Sequence, residues 1–196
     1  MTASLGQYQG VMRDALGHLN ASDPSTGTQF RRFNMARFGL SDSGGDAGSV
    51  PLVTQVMTSV PLHLVAGDVV TNLTFHSGQT AAGTPTNYWA ALYDTAATPA
   101  LIAQSADQLT AAWAAFTAKT LALSAPYTVA KTGVYWAALM VKATTVPSLL
   151  GSLVPKPIVT GERNLAQNSG SALVGTAPST IASPTVQSFA PFVVAT

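Results

Sequence analysis

The pentapeptide Tyr-Trp-Ala-Ala-Leu occurs twice, at residues 88–92 and 135–139. Successive side chains of an extended chain point to opposite faces. Each copy therefore sets its Trp on one face and its Tyr and Leu on the other, and the flanking Ala residues let neighbouring layers approach closely. The pattern predicts two central strands in equivalent places in the two halves of one sandwich. A chance echo in an Ala-rich chain is the other reading, and two copies fall short of the three or more repeats that a solenoid needs.

Strand signals surround the two copies. Short runs rich in Val, Thr and aromatic residues fall at 52–60, 69–76, 88–94, 101–105, 116–123 and 134–142, separated by Gly, Pro, Asn or Asp. Val69, Leu73 and Phe75 alternate with Thr71, Asn72 and Thr74, with one break of phase near Val70. Leu109, Ala112, Trp113 and Phe116 fit one helical turn after Asp107, so a turn or short helix is expected there. Several short strands with no long helices between them predict a mainly β chain, an antiparallel sandwich rather than a parallel sheet.

This strand-like zone covers residues 51–146, with an extended arm ahead of it at 1–50. Tyr8, Val11, Met12, Ala15, Leu16 and Leu19 have helical spacing, and Ser4 with Gln7 has the spacing of a capping box. A helix this short, weakened by Gly10 and Gly17, is not stable alone. Its apolar stripe must dock on something. Residues 20–27 read as a turn-rich loop and 41–49 as a flexible linker. The last zone, 147–196, is loop-rich until 189–195, which suits an edge strand or a strand donated to a neighbour because Pro191 lies in it. A connection of roughly 40 residues without regular structure is unusual in an isolated domain. Something has to hold it, and assembly into a larger body would do so.

Charge is the second constraint. The chain has 196 residues, nine of them basic and eight acidic, where a typical soluble chain is about 25% charged. Eight of these charges lie in residues 1–50, four of each sign, which leaves nine for the other 146 residues. A hydrophobic content of 47% argues against disorder throughout, which needs the opposite balance. A net charge of +1 gives no general attraction to nucleic acid or anionic lipid. Such a composition fits a surface largely covered by neighbours; an Ala-rich coding bias would give the same count. The chain has no Cys, which excludes disulfides, thiolate catalysis and zinc–thiolate sites. Neither a secretory signal nor a transmembrane helix is expected.

No catalytic motif is visible, and no enzyme activity or cofactor is expected. Glu162 is the only Glu, and Asp68, Asp94 and Asp107 sit at predicted strand ends or turns, where Asp bonds to nearby backbone. His63 and His76 could meet Asp68 at a metal if their strands paired, but nothing in the spacing demands it, so no metal site is expected. His18 suits the end of the predicted helix. The basic cluster Arg31-Arg32-Phe33-Asn34-Met35-Ala36-Arg37-Phe38 has three readings: a solvated or internally paired loop, a nucleic-acid contact, or an arm clamping a protein partner. Arg, Phe and Met are enriched at protein interfaces, and no direct nucleic-acid contact is expected. The expected docking residues are thus Tyr8, Met12, Leu16, Arg31, Arg32, Phe33, Arg37 and Phe38. Trp89 and Trp136 lie mid-strand and read as core. Trp113, in the turn-like segment, is the candidate for an exposed platform on which a glycan stacks.

The segment from Pro126 to Leu139, Pro-Tyr-Thr-Val-Ala-Lys-Thr-Gly-Val-Tyr-Trp-Ala-Ala-Leu, resembles a strand–turn–strand signature of jelly-roll β-sandwich domains. Leu64-Val65-Ala66-Gly67-Asp68-Val69-Val70 looks like the turn into an early strand of the same domain. With the Ala/Thr-rich, Cys-free composition, the chain resembles jelly-roll virion proteins of tailed actinobacteriophages, over about residues 52–142. The family includes minor capsid, head decoration, head fibre and minor tail proteins. The resemblance implies a particle-surface protein made in the bacterial cytoplasm, a homotrimer, and a major capsid or tail protein as partner. The expected role is to dock by the arm and stabilise the particle. The alternative is a tail or head-fibre module that binds a host-surface glycan.

Overall fold

A computed structural model describes residues 34, 40–43, 52–158 and 160–196. The predicted helix and the expected docking residues Tyr8, Met12, Leu16, Arg31, Arg32, Phe33, Arg37 and Phe38 lie outside them. The described chain is mainly β, and every strand pair is antiparallel. Its strands are β1 (Ser41–Asp42), β2 (Met57–Leu64), β3 (Val69–His76), β4 (Gly83–Tyr93), β5 (Leu101–Gln104) and β6 (Ala118–Thr128). They continue as β7 (Gly133–Thr145), β8 (Leu150–Leu153), β9 (Gln167–Ser169), β10 (Thr185–Val186), β11 (Phe189–Pro191) and β12 (Val193–Ala195). Three sheets result, ordered β10-β9-β2-β7-β4-β5, β12-β3-β6 and β1-β8-β11.

Alternation decides which side chains are buried together. Val60, Leu62 and Leu64 of β2, Tyr88, Ala90 and Leu92 of β4, and Tyr135, Ala137 and Leu139 of β7 share one cluster with Val70, Leu73 and Phe75 of β3 and Leu121 and Leu123 of β6. The six-stranded sheet and the β12-β3-β6 sheet thus pack on a common core, and an isolated bridge from Ser105 to Leu123 links their rims. The phase break near Val70 is a β-bulge between Val70 and Asn72. It turns Val70 inward and leaves Val69 43% exposed. Pro61 lies inside β2 opposite Trp136. β9 pairs only with Met57–Ser59, so beyond Ser59 one edge of β2 is open and a residue without an N–H is tolerated there.

Several expectations need correction. The two Tyr-Trp-Ala-Ala-Leu copies do not occupy equivalent places in two halves. They are neighbours in one sheet, with Ala91 opposite Ala138 and Tyr93 opposite Trp136. Ser41 and Asp42 are not linker: β1 pairs with β8, and buried Ser43 bonds in both directions to the backbone of Leu149. Asn34 also belongs to the body, because its side-chain amide donates to Pro191 O at 2.6 Å and accepts from Val193 N at 2.9 Å. The body therefore begins before residue 50. Of the edge strand or donated strand expected at 189–195, the chain forms edges: β11 and β12 each end a sheet, paired with β8 and β3 of the same chain. Of the turn or short helix expected at 107–116, the chain forms turns, and Leu109 and Phe116 have positive φ of 50° and 54°.

Strands β8 and β11 meet at Gly151, opposite Pro191. A Cβ at Gly151 would collide with the Ala190 carbonyl oxygen and the Phe189 ring, and backbone cannot step aside as a flexible side chain can. Gly151→Ala is expected to lower stability by about 1–3 kcal/mol, read as a lower urea midpoint with an unchanged m-value.

Candidate functional site

The reverse face of the six-stranded sheet is also buried. Met57, Trp89, Ala91, Tyr93, Trp136, Ala138 and Met140 form a second cluster with Ala177 and Ile181. The opposed Ala91 and Ala138 make a shallow floor between larger side chains, so a covering segment can come close. Residues 170–184 are that cover, a strap that runs from β2 across to β5. Leu173 N donates to Gln55 O at 3.0 Å, Trp89 Nε1 to Val174 O at 2.6 Å, Ala177 N to Gln104 Oε1 at 2.8 Å and Tyr93 OH to Pro178 O at 2.9 Å. Leu101 N donates to Ser179 O and Ile181 N to Pro99 O. The loop-rich third zone is held, within this chain, by these bonds and by the apolar floor.

A cleft of about 550 Å3 opens where the strap ends. Its floor is Trp136 and Gln167, and its walls come from residues 96–99, 162–164 and 181–184. The floor is buried and the rim residues Glu162, Arg163 and Ser183 are exposed. Asn164 Nδ2 donates to Gln167 Oε1 at 2.8 Å, which sets the orientation of both amides. Glu162 accepts from Ile158 N at 2.7 Å. The indole N–H of Trp136 is buried without a hydrogen-bond partner, as are the hydroxyls of Ser59 and Ser169. A second cleft of about 360 Å3, with Pro155, Pro157, Ile158 and Leu165 in its wall, shares Glu162 and Arg163 with the first. In the sequence Glu162 stands out only as the one Glu, and no motif marks Arg163, Asn164 or Gln167. The signal was there: Lys156, Glu162 and Arg163 are the only charges in residues 147–196.

Trp113 is not an exposed platform. It is 2% exposed, belongs to the main core, and its ring lies 5.9 Å from that of Tyr88. The turns around it fold the indole inward, and Nε1 donates to Thr117 O at 3.4 Å. Trp89 and Trp136 are buried as expected. Asp68 and Asp94 serve their turns, Asp68 accepting from Val65 N and Asp94 from Ala96 N and Ala100 N; Asp107 accepts from Leu109 N in its turn but also from Tyr88 N and Asn87 Nδ2 of β4, so its bonding is not local alone. His63 and His76 stand on β2 and β3, in different sheets, and His76 packs against the Phe192 ring at 5.9 Å. Among the described residues no cluster of His, Asp and Glu has the makings of a metal site, and no helix is long and apolar enough to cross a membrane.

Burial pushes the Tyr93 phenol above its ordinary value of 10.0. The folded chain thus keeps this proton where the unfolded chain releases it. The stability it contributes is complete below pH about 10 and declines as the pH rises from there toward the folded value. Burial, then the neighbouring Tyr127, pushes Tyr135 in the same direction. Tyr93→Phe is expected to cost about 1–3 kcal/mol at neutral pH, because Pro178 O loses its donor. It should also flatten the alkaline loss of stability, as measured by denaturant titrations at neutral and alkaline pH. No protein-family model matches this chain, and no curated protein matches its sequence.

Proposed function

We propose that this chain is a structural protein of a tailed-phage virion, a head decoration or minor capsid protein that docks through its N-terminal segment and stabilises the particle surface. Its body is then a jelly-roll-like β-sandwich, and its partners are further copies of itself, as a homotrimer, and a major capsid or tail protein. The observation that carries this reading is an all-β body with nine charges in residues 51–196, an exterior suited to lying against neighbours rather than repelling them. The two segments that carry the resemblance also meet in space. Gly67 N donates to Val129 O and Val129 N to Asp68 O, each at 2.8 Å, and Ala66 N donates to Thr132 Oγ1 at 3.0 Å. One corner of the body thus contains both turns.

The mechanism is burial of area. Both faces of the six-stranded sheet are already covered by this chain, so docking falls to surfaces that its own core does not need. The test is a phage in which residues 1–30 of this chain are deleted, a truncation that spares Asn34 and β1. The truncated protein is expected to melt within a few degrees of the parent and to be missing from purified particles. Its presence at parental copy number would sink the proposed role of this segment. A deletion through residue 50 would not separate docking from folding, because it removes Asn34 and β1 as well.

A further inference from the structure

The geometry points to the cleft over Trp136 as a binding site for an uncharged saccharide, a role independent of the proposed place in a virion. Its volume of about 550 Å3 lies in the range of small-molecule sites. Trp136 and Gln167, 4% and 3% exposed, form a fixed floor, and the exposed rim leaves the cleft open to solvent. A site of this kind is built ahead of its ligand, which limits the cost of ordering on binding.

The chemistry of the lining matches adjacent hydroxyl groups. The bond between Asn164 and Gln167 leaves Asn164 Oδ1 as an acceptor and Gln167 Nε2 as a donor, neither of them engaged within the described residues. The Arg163 guanidinium also makes no hydrogen bond or ion pair there, so its fork of N–H donors is available. The amide pair and the guanidinium over the indole floor offer the mixed donors and acceptors that a polyol needs. Glu162 and Arg163 cancel in formal charge, which favours a neutral ligand over an anion.

Two further observations single out this place. Buried polar groups are nearly always paired, yet the Trp136 N–H is not, and neither are the Ser59 and Ser169 hydroxyls on β2 and β9, so the sheet near the cleft holds three unpaired buried polar groups. And a segment of 50 residues with three charges puts two of them on this rim and the third, Lys156, on the adjoining cleft. A chain this sparing of charge concentrates it where a ligand would be read.

The experiment titrates the full chain with methyl glycosides of glucose, galactose and mannose, with N-acetylglucosamine and maltose, and with glucuronate and galacturonate. Saturation-transfer NMR and calorimetry follow binding. At least one neutral sugar is expected to bind saturably, with an affinity that does not change with salt. Arg163→Ala and Asn164→Ala should each weaken it by about tenfold or more, and Arg163→Ala should leave the melting temperature unchanged. No saturable binding of any neutral sugar, binding of the uronates alone, or binding untouched by both substitutions would overturn the proposal. None of these outcomes bears on whether the chain is a virion protein.

Discussion

Burial of β4 and β7 on both faces governs the rest of this molecule. A strand pair with Tyr and Leu on one side and Trp on the other cannot leave either side in water, so it needs two covers of different kinds. One is a second sheet, whose apolar residues meet the Tyr88, Leu92 and Tyr135 side. The other is irregular, and irregularity suits it. The Trp89 N–H and Tyr93 hydroxyl point into a face that a regular sheet could not satisfy, since its carbonyls are taken up by its own ladder. The strap's carbonyls at Val174 and Pro178 are free to accept them.

The parts of the fold visible in the sequence are those where alternation is strong. Strands expected at 69–76, 101–105 and around both pentapeptides correspond to β3, β5, β4 and β7, and the phase break near Val70 corresponds to a bulge. Other parts carry no local signal. β8, β9 and β10 are two to four residues long, too short for a period to show. Pairing is also not a local property: nothing in either pentapeptide says that its partner is the other copy. Trp113 misled for a related reason. The residues around it read as polar turn, but a turn can carry one large side chain into the core, and Trp113 with its Tyr88 contact does so.

The site was less legible than the fold. Its residues come from four stretches far apart in sequence, and three of them look like featureless loop. Gln167 lies in a three-residue strand and Asn164 and Arg163 in the connection before it. Only the charge distribution marked the region, and charge alone does not say that Trp136, a residue chosen by core packing, forms the floor beneath it. The Asp residues show the opposite case. Asp68 and Asp94 serve the turns in which they sit, a use that position alone reveals because those hydrogen bonds span only a few residues, whereas Asp107 also reaches β4 at Asn87 and Tyr88, which position does not reveal.

Asn34 has a consequence of a mechanical kind. Its amide is wedged between Pro191 of β11 and Val193 just beyond it, while β1, a few residues on, lies against β8. Any pull on residues 1–33 therefore arrives at a seam stitched from both ends of the sequence. Such a pull meets the Asn34 bonds first and the pairing of β1 with β8 next. Because β11 is paired to β8 as well, the same load is shared by the strand that leads into β12 and so into the main core. A tether leaving the body at this point would hold until the small sheet itself gives way.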